Sequence, residues 1–202
     1  MDELQKAKSE LIACGRRLSE AGLVPATSGN FSTLLTNGNI AITVSGRDKG
    51  NLQEQDIMLV DSTGASLDER HPSAETLLHT SLYQRYADAK VILHPHSINS
   101  TLISLVNEGD LILEGYELLK AMSGIETHKE KVRVPVFDND QNIDRLAKIV
   151  DKRLSEIEKV TGYLIRGHGF YTWGKSMLDA LRHVEALEFL FECELKLREI
   201  KK

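Results

Sequence analysis

Residues 31–44 read Phe31-Ser32-Thr33-Leu34-Leu35-Thr36-Asn37-Gly38-Asn39-Ile40-Ala41-Ile42-Thr43-Val44. Two strand-like runs, 31–35 and 40–44, flank Thr36-Asn37-Gly38-Asn39, and an Asn-Gly pair supplies the two positive φ angles that a tight hairpin turn demands. Antiparallel pairing is therefore built in early. Upstream, Leu4, Ala7, Leu11, Leu18 and Ala21 recur at helical spacing ahead of Gly22, which predicts an opening amphipathic helix over 3–21 that glycine stops. Downstream, 57–60 reads as a strand ending in the turn Asp61-Ser62-Thr63-Gly64. From Pro72 the period changes: Ala74, Leu77, Leu78, Leu82 and Tyr86 mark a helix with Ser73 as its N-cap.

Further along, 91–94 is a short buried strand, Ile98 to Leu105 a short helix, 111–113 a strand and 116–122 a helix. Residues 132–137 alternate as a strand does. The turn Asp138-Asn139-Asp140-Gln141 leads into a helix carrying Ile143, Leu146, Ile149, Val150 and Leu154. Residues 162–165 read as the last buried strand, and Leu178, Leu181, Val184, Leu187, Phe191 and Leu195 make a long C-terminal helix reaching about residue 200. No repeat or low-complexity linker divides the chain. The expectation is one α/β domain over 1–202, with a mixed, mostly antiparallel sheet covered by helices on both faces.

The 202 residues carry 25 Lys+Arg against 30 Asp+Glu, a net charge of −5, so the summed positive potential that drives phosphate-backbone binding is missing. Nucleic acid is excluded as a partner. No run of about 18 apolar residues exists to span a membrane, and the charged opening decapeptide MDELQKAKSE lacks the apolar centre of a signal peptide. A cytoplasmic location is expected. Cys14 and Cys193, both in helical segments, are too few for a disulfide framework and read as buried free thiols.

Chemistry concentrates in a few places. His94-Pro95-His96 ends an apolar strand, and in extended backbone side chains at i and i+2 point to the same side; Pro95 holds His94 in that conformation. Both rings can reach one ion. His168, in Arg166-Gly167-His168-Gly169, follows a second buried strand, and its glycines let the backbone bend tightly. Three neutral imidazoles suit Zn²⁺ and leave a fourth position for substrate or water. His71, His79, His128 and His183 have no comparable setting and read as solvated or hydrogen-bonded.

Two loops, Thr27-Ser28-Gly29-Asn30 and Ser45-Gly46-Arg47-Asp48-Lys49-Gly50, offer hydroxyls and bare N–H groups. The hairpin between them brings their ends side by side. Such a concave set of donors holds a phosphate without a basic surface, with Arg47 or Lys49 placed to add charge-assisted bonds; the plainer reading is that both loops merely connect strands. Three carboxylates are candidates for the remaining chemistry. Glu75 sits in a first helical turn, where the dipole favours acidic residues anyway, and Glu114 and Glu117 lie three residues apart on one helical face. The residues alone leave open which of them faces a metal. Phe170, Tyr171 and Trp173 wall a pocket or fill core, with no catalytic role assigned.

In this order, Ala26-Thr27-Ser28-Gly29-Asn30-Phe31-Ser32, Ser45-Gly46-Arg47, Pro72-Ser73-Ala74-Glu75, His94-Pro95-His96 and Gly167-His168-Gly169 resemble the class II aldolase/adducin family over essentially the whole chain. The stretches 114–120, 135–141 and 163–174 resemble its dehydratase branch. The resemblance implies a three-layer α/β/α fold, a homotetramer with sites near subunit interfaces, and Zn²⁺ held by His94, His96 and His168. It also implies phosphate contacts from Ser28, Gly29, Asn30, Ser45, Gly46 and Ser73. Catalysis falls to Glu117 as acid/base or to Glu75 as metal ligand or base. The implied reaction is dehydration of a small phosphorylated ketose, 5-methylthioribulose 1-phosphate; the alternatives are a sugar-phosphate aldolase or epimerase, and a non-enzymatic adducin-like assembly module.

Overall fold

A computed structural model of the chain describes residues 2–201. The hairpin forms: β1 (Asn30–Leu34) and β2 (Ile40–Thr43) pair antiparallel with Leu34 opposite Ile40. Its turn is not the expected one. Within it Gly38 alone takes a positive φ, +85°, its N–H donating to the Leu35 carbonyl (3.0 Å) while Asn37 Oδ1 accepts from the Asn39 N–H (3.0 Å). A turn followed by one left-handed glycine closes a longer loop than a two-residue connection, because Leu35 N–H already bonds Asn39.

β3 (Ile57–Val60) pairs with β2, and β4 (Val91–His94) with the other side of β1; β9 (Gly169–Gly174), β8 (Gly162–Ile165) and β7 (Val136–Phe137) follow, giving one seven-stranded sheet in the order β3-β2-β1-β4-β9-β8-β7. Only β7 and β8 run parallel. The sheet is mixed and mostly antiparallel. On one face pack α1 (Glu3–Glu20), α3 (Ile98–Val106) and α5 (Met177–Ile200), with Leu11, Ile103 and Leu187 meeting Phe31, Leu93, Leu164 and Phe170. On the other pack α2 (Thr76–Arg85) and α4 (Ile143–Ser155), with Leu78, Leu82 and Val150 meeting Ile42, Ile92, Tyr163 and Tyr171. Neighbouring residues of each central strand thus feed opposite cores, the period-two rule with both faces apolar, and the chain is a three-layer α/β/α structure.

The opening helix ends at the expected glycine: Gly22 has φ +73° and Leu23 N–H returns to the Leu18 carbonyl (2.9 Å). Other expectations are corrected. The last strand is β9 rather than 162–165; its residues are buried on both faces, so no polar alternation announces it. Residues 132–137 split at Pro135, which has no N–H to continue a ladder: β6 (Val132–Val134) pairs with β5 (Leu111–Leu113) in a separate ribbon, while β7 joins the main sheet. Residues 117–121 form a 3₁₀ helix instead of an α-helix. Cys14 is buried as expected, but Cys193 is only half-buried, because α5 near its end has solvent on one side. No described helix is long and apolar enough to cross a membrane.

Candidate metal centre and anion pocket

His94 is the last residue of β4, and β9 begins beside it at Gly169. The two strands pair antiparallel from Val91–Gly174 onward, and the carbonyl of Pro95 accepts from Phe170 N–H (3.2 Å). This pins His168, one residue ahead of β9, against the His94-Pro95-His96 corner. The ring centroids lie 4.5 Å (His94 to His96), 5.1 Å (His94 to His168) and 4.5 Å (His96 to His168) apart. The approach is possible because residue 169 is glycine: a Cβ there would collide with the Pro95 carbonyl oxygen and lie 3.0 Å from His96 Cδ2 and 3.1 Å from His94 Cε1. A second glycine fixes the other side. Gly29 has φ +78°, and a Cβ on it would sit 2.7 Å from the His94 carbonyl oxygen.

The fourth member is Glu75. The expected cap at Ser73 does not form. Ser73 to Thr76 closes as a turn, with Thr76 N–H on the Ser73 carbonyl (3.0 Å), and α2 begins only at Thr76. Glu75 is thereby left at the helix mouth, its carboxylate 3.4 Å from His94 Nε2 and 3.3 Å from His168 Nε2. Asn30 Nδ2 donates to Glu75 Oε2 (2.6 Å). The amide of Asn30 is itself fixed from behind: its Oδ1 accepts from His79 Nε2, His79 Nδ1 accepts from Ser32 Oγ (2.7 Å), and Ser32 Oγ accepts from the Tyr83 hydroxyl (2.8 Å). Once Asn30 Nδ2 donates to Glu75, the donors of this buried chain all point one way, toward the carboxylate.

Among the described residues, Glu75, His94, His96 and His168 each offer a ligand atom, all within 4.8 Å of one another. The donor chemistry fits a divalent cation. His94 Nδ1–H donates to the Phe170 carbonyl (2.9 Å), which leaves the Nε2 lone pair directed at His96 Nε2, 2.8 Å away, the orienting arrangement expected behind a metal-bound imidazole. Burial pushes His94 well below the usual histidine range, and burial with the neighbouring rings pushes His96 down to about 3; both rings are neutral at pH 7, the form that can bind a metal. Beneath them Tyr171 stacks on His94 (3.9 Å between centroids, 12° between planes) and on Tyr163 (4.9 Å).

Beside the centre a cavity of about 250 Å³ is lined by Ser28, Gly29, Asn30, Ser45, Gly46 and Ser73, together with Glu75 and His96. All six residues expected to hold phosphate thus surround one space that opens on the histidines. Ser28 Oγ is buried there with no hydrogen-bond partner among the described residues, an unsatisfied donor suited to a ligand oxygen. Two expectations change. Arg47 pairs with Asp56 (3.2 Å), and Lys49 is turned away from the cavity, donating to backbone carbonyls within the wall. Glu117 stands apart from the histidine group, its side chain 70% exposed, paired with Lys120 and 3.5 Å from His128 Nδ1; Glu114 is on the surface with Lys131 (2.7 Å).

The chain is 58% identical over 200 residues to methylthioribulose-1-phosphate dehydratase of Methylococcus capsulatus (strain Bath), an alignment covering 99% of this chain and 98% of that one. Among solved structures it resembles YgbL of Klebsiella pneumoniae (TM-score 0.84, 25% identity, 98% of this chain and 92% of that one). It also resembles L-fuculose 1-phosphate aldolase (TM-score 0.82, 25% identity, 98% and 88%). Residues 9–195 match the class II aldolase and adducin N-terminal domain, and the chain belongs to that family.

Proposed function

We propose that the chain removes water from 5-methylthioribulose 1-phosphate to give 2,3-diketo-5-methylthiopentyl 1-phosphate, a hydro-lyase reaction of L-methionine salvage in the cytoplasm. The observation that carries this reading is the 58% identity, across nearly the full length of both chains, with an enzyme named for that dehydration. We assign Zn²⁺ as the metal, with His94, His96 and His168 as its ligands, because imidazole nitrogens suit zinc and three ligands leave a position open. When bound, the ion acts as a Lewis acid toward negative charge developing on the ketose oxygens.

The chain's own groups do the rest. Ser28, Gly29, Asn30, Ser45, Gly46 and Ser73 hold the C1 phosphate and so orient the ketose. Glu117 takes the proton from C3 and returns one to the hydroxyl leaving C4. The C3–H and C4–O bonds break, water departs, and the enol so formed becomes the diketone. Because Glu117 is exposed in its own subunit, this role places it in the site of a neighbouring copy within a homotetramer. Leu118 and Phe189, 37% and 52% exposed, border the same depression as Glu117 and provide apolar surface for that contact. Glu75 is the alternative base, or a fourth metal ligand.

A class II aldolase or epimerase is the second reading, favoured by the likeness to L-fuculose 1-phosphate aldolase. Product analysis separates the two. The metal-loaded chain incubated with 5-methylthioribulose 1-phosphate is expected to yield a diketone absorbing in the near ultraviolet; release of two- or three-carbon fragments instead would overturn the dehydratase reading.

A further inference from the structure

The pocket read above as the phosphate site has a charge imbalance. Its lining holds hydroxyls, backbone, a neutral His96 and the Glu75 carboxylate, and no cationic side chain. Apart from the proposed metal ion at the histidines, a phosphate dianion seated beside Glu75 meets no positive charge from the lining itself, an electrostatically unfavourable arrangement. The missing charge lies directly behind the wall. Lys49 is 1% exposed, and its Nζ donates to the Thr27 carbonyl (2.9 Å) and the Arg47 carbonyl (2.6 Å). One carbonyl immediately precedes Ser28-Gly29-Asn30; the other immediately follows Ser45-Gly46. A single ammonium therefore ties together the two loops that form the pocket.

Lys49 makes no ion pair among the described residues. Asp48 accepts instead from Gly50 N–H (2.9 Å) and Asn51 Nδ2 (2.6 Å), and Asp56 from Arg47 Nε (3.2 Å) and Gln53 N–H (2.9 Å). From α1, Gly15 packs on the Lys49 carbonyl and Ser19 on Gly50; neither is charged. A buried ammonium without a counter-ion is costly unless something compensates it. Its field also reaches the metal centre, where it is one of the charges disfavouring protonation of His94 and His96.

We propose that Lys49 is the counter-charge of the anion pocket, a positioning residue that fastens both loops and attracts a bound phosphate dianion through the pocket wall rather than by contact. This rests on the reading that the pocket takes the substrate phosphate. Burial pulls Lys49 down to about 8, with Asp48 and Asp56 acting in the opposite sense, so its charge fades across a range where inorganic phosphate only becomes more fully dianionic. The charged and titratable groups around it are the carboxylates of Asp48, Asp56 and Glu75, the Arg47 guanidinium, and the rings of His94 and His96, which burial keeps neutral.

The test is calorimetric titration of inorganic phosphate into the metal-loaded full chain at pH 7.5 and 9.5, with circular dichroism and melting temperature checking that each variant folds. Wild type is expected to bind at least about tenfold more weakly at pH 9.5. Lys49→Met is expected to bind at pH 7.5 as weakly as wild type does at 9.5, and Lys49→Arg, charged at both, to lose the pH dependence. Lys49→Met binding within about twofold of wild type at pH 7.5 overturns the inference and leaves the pocket standing. Should that variant not fold, wild-type affinity unchanged between the two pH values overturns it equally. Ser45→Asp reports on the underlying reading: undiminished phosphate affinity there removes the pocket as the phosphate site, and this inference with it.

Discussion

Replacing Gly169 with alanine tests the geometry of the metal centre with one methyl group. Gly169 does not have a positive φ, so alanine suffers no backbone strain, and the whole perturbation is steric. The new Cβ would overlap the Pro95 carbonyl oxygen and stand 3.0 Å from His96 Cδ2 and 3.1 Å from His94 Cε1, where carbon atoms prefer about 3.5–4.0 Å. Relief requires the two rings, or the start of β9 with His168, to shift by roughly 0.5–1 Å to regain that spacing. Metal–ligand distances tolerate only about 0.2 Å. The ligand set therefore spreads, and zinc affinity is expected to fall by about 10–100-fold, the range seen when supports of a metal ligand are lost. The overpacking itself costs about 1–3 kcal/mol, so the chain still folds. Competition against a chromophoric chelator measures the affinity, and denaturant unfolding of the metal-free protein measures the stability. Wild-type zinc affinity in a folded Gly169→Ala protein would refute the claim that the three rings converge on one ion.

Two other outcomes follow from the same coordinates. Glu117→Gln is expected to lower turnover by at least about a hundredfold, the usual scale for a general acid/base, with zinc still bound; mixing it with a His94→Gln chain restores activity if Glu117 works in a neighbour's site, and the assignment fails if Glu75→Gln alone shows that pattern. The buried His79, pulled down to about 4 by burial, makes stability pH-dependent. Unfolded, it titrates near about 6.5, so below that pH the unfolded chain binds a proton the folded one refuses, and stability is lost as pH falls from 6.5 toward 4, by about 3 kcal/mol in total. Urea midpoints of metal-free wild type and His79→Gln at pH 7.5, 5.5 and 4.5 check this; parallel pH profiles would contradict it.

The parts of this molecule that were legible in the sequence are those with a local period. The hairpin, the glycine-stopped α1 and the His94-Pro95-His96 corner follow from spacing alone, because side-chain direction in a strand or helix is fixed within a few residues. What escaped depends on partners distant in sequence. β9 is buried on both faces between β4 and β8, so nothing in its own residues separates core from pocket wall until its neighbours are known. The start of α2 lies beyond local spacing for a related reason: Ser73 has the chemistry of a cap, yet Glu75 is held by Asn30, 45 positions earlier.

The carboxylates carry the lesson furthest. Sequence spacing leaves open which of Glu75, Glu114 and Glu117 faces a metal. In space Glu75 and Glu117 are opposites. Glu75 ends a buried series of donors running from Tyr83 through Ser32, His79 and Asn30, with two imidazoles at its other side; a group so surrounded is held in one place as an acceptor. Among the described residues Glu117 pairs with Lys120 and His128 and is otherwise exposed. Both environments would change on binding, Glu75 because it lines the anion cavity and Glu117 because it is exposed; on the proposed reading the anchored carboxylate stays an acceptor beside the metal and the exposed one carries the proton.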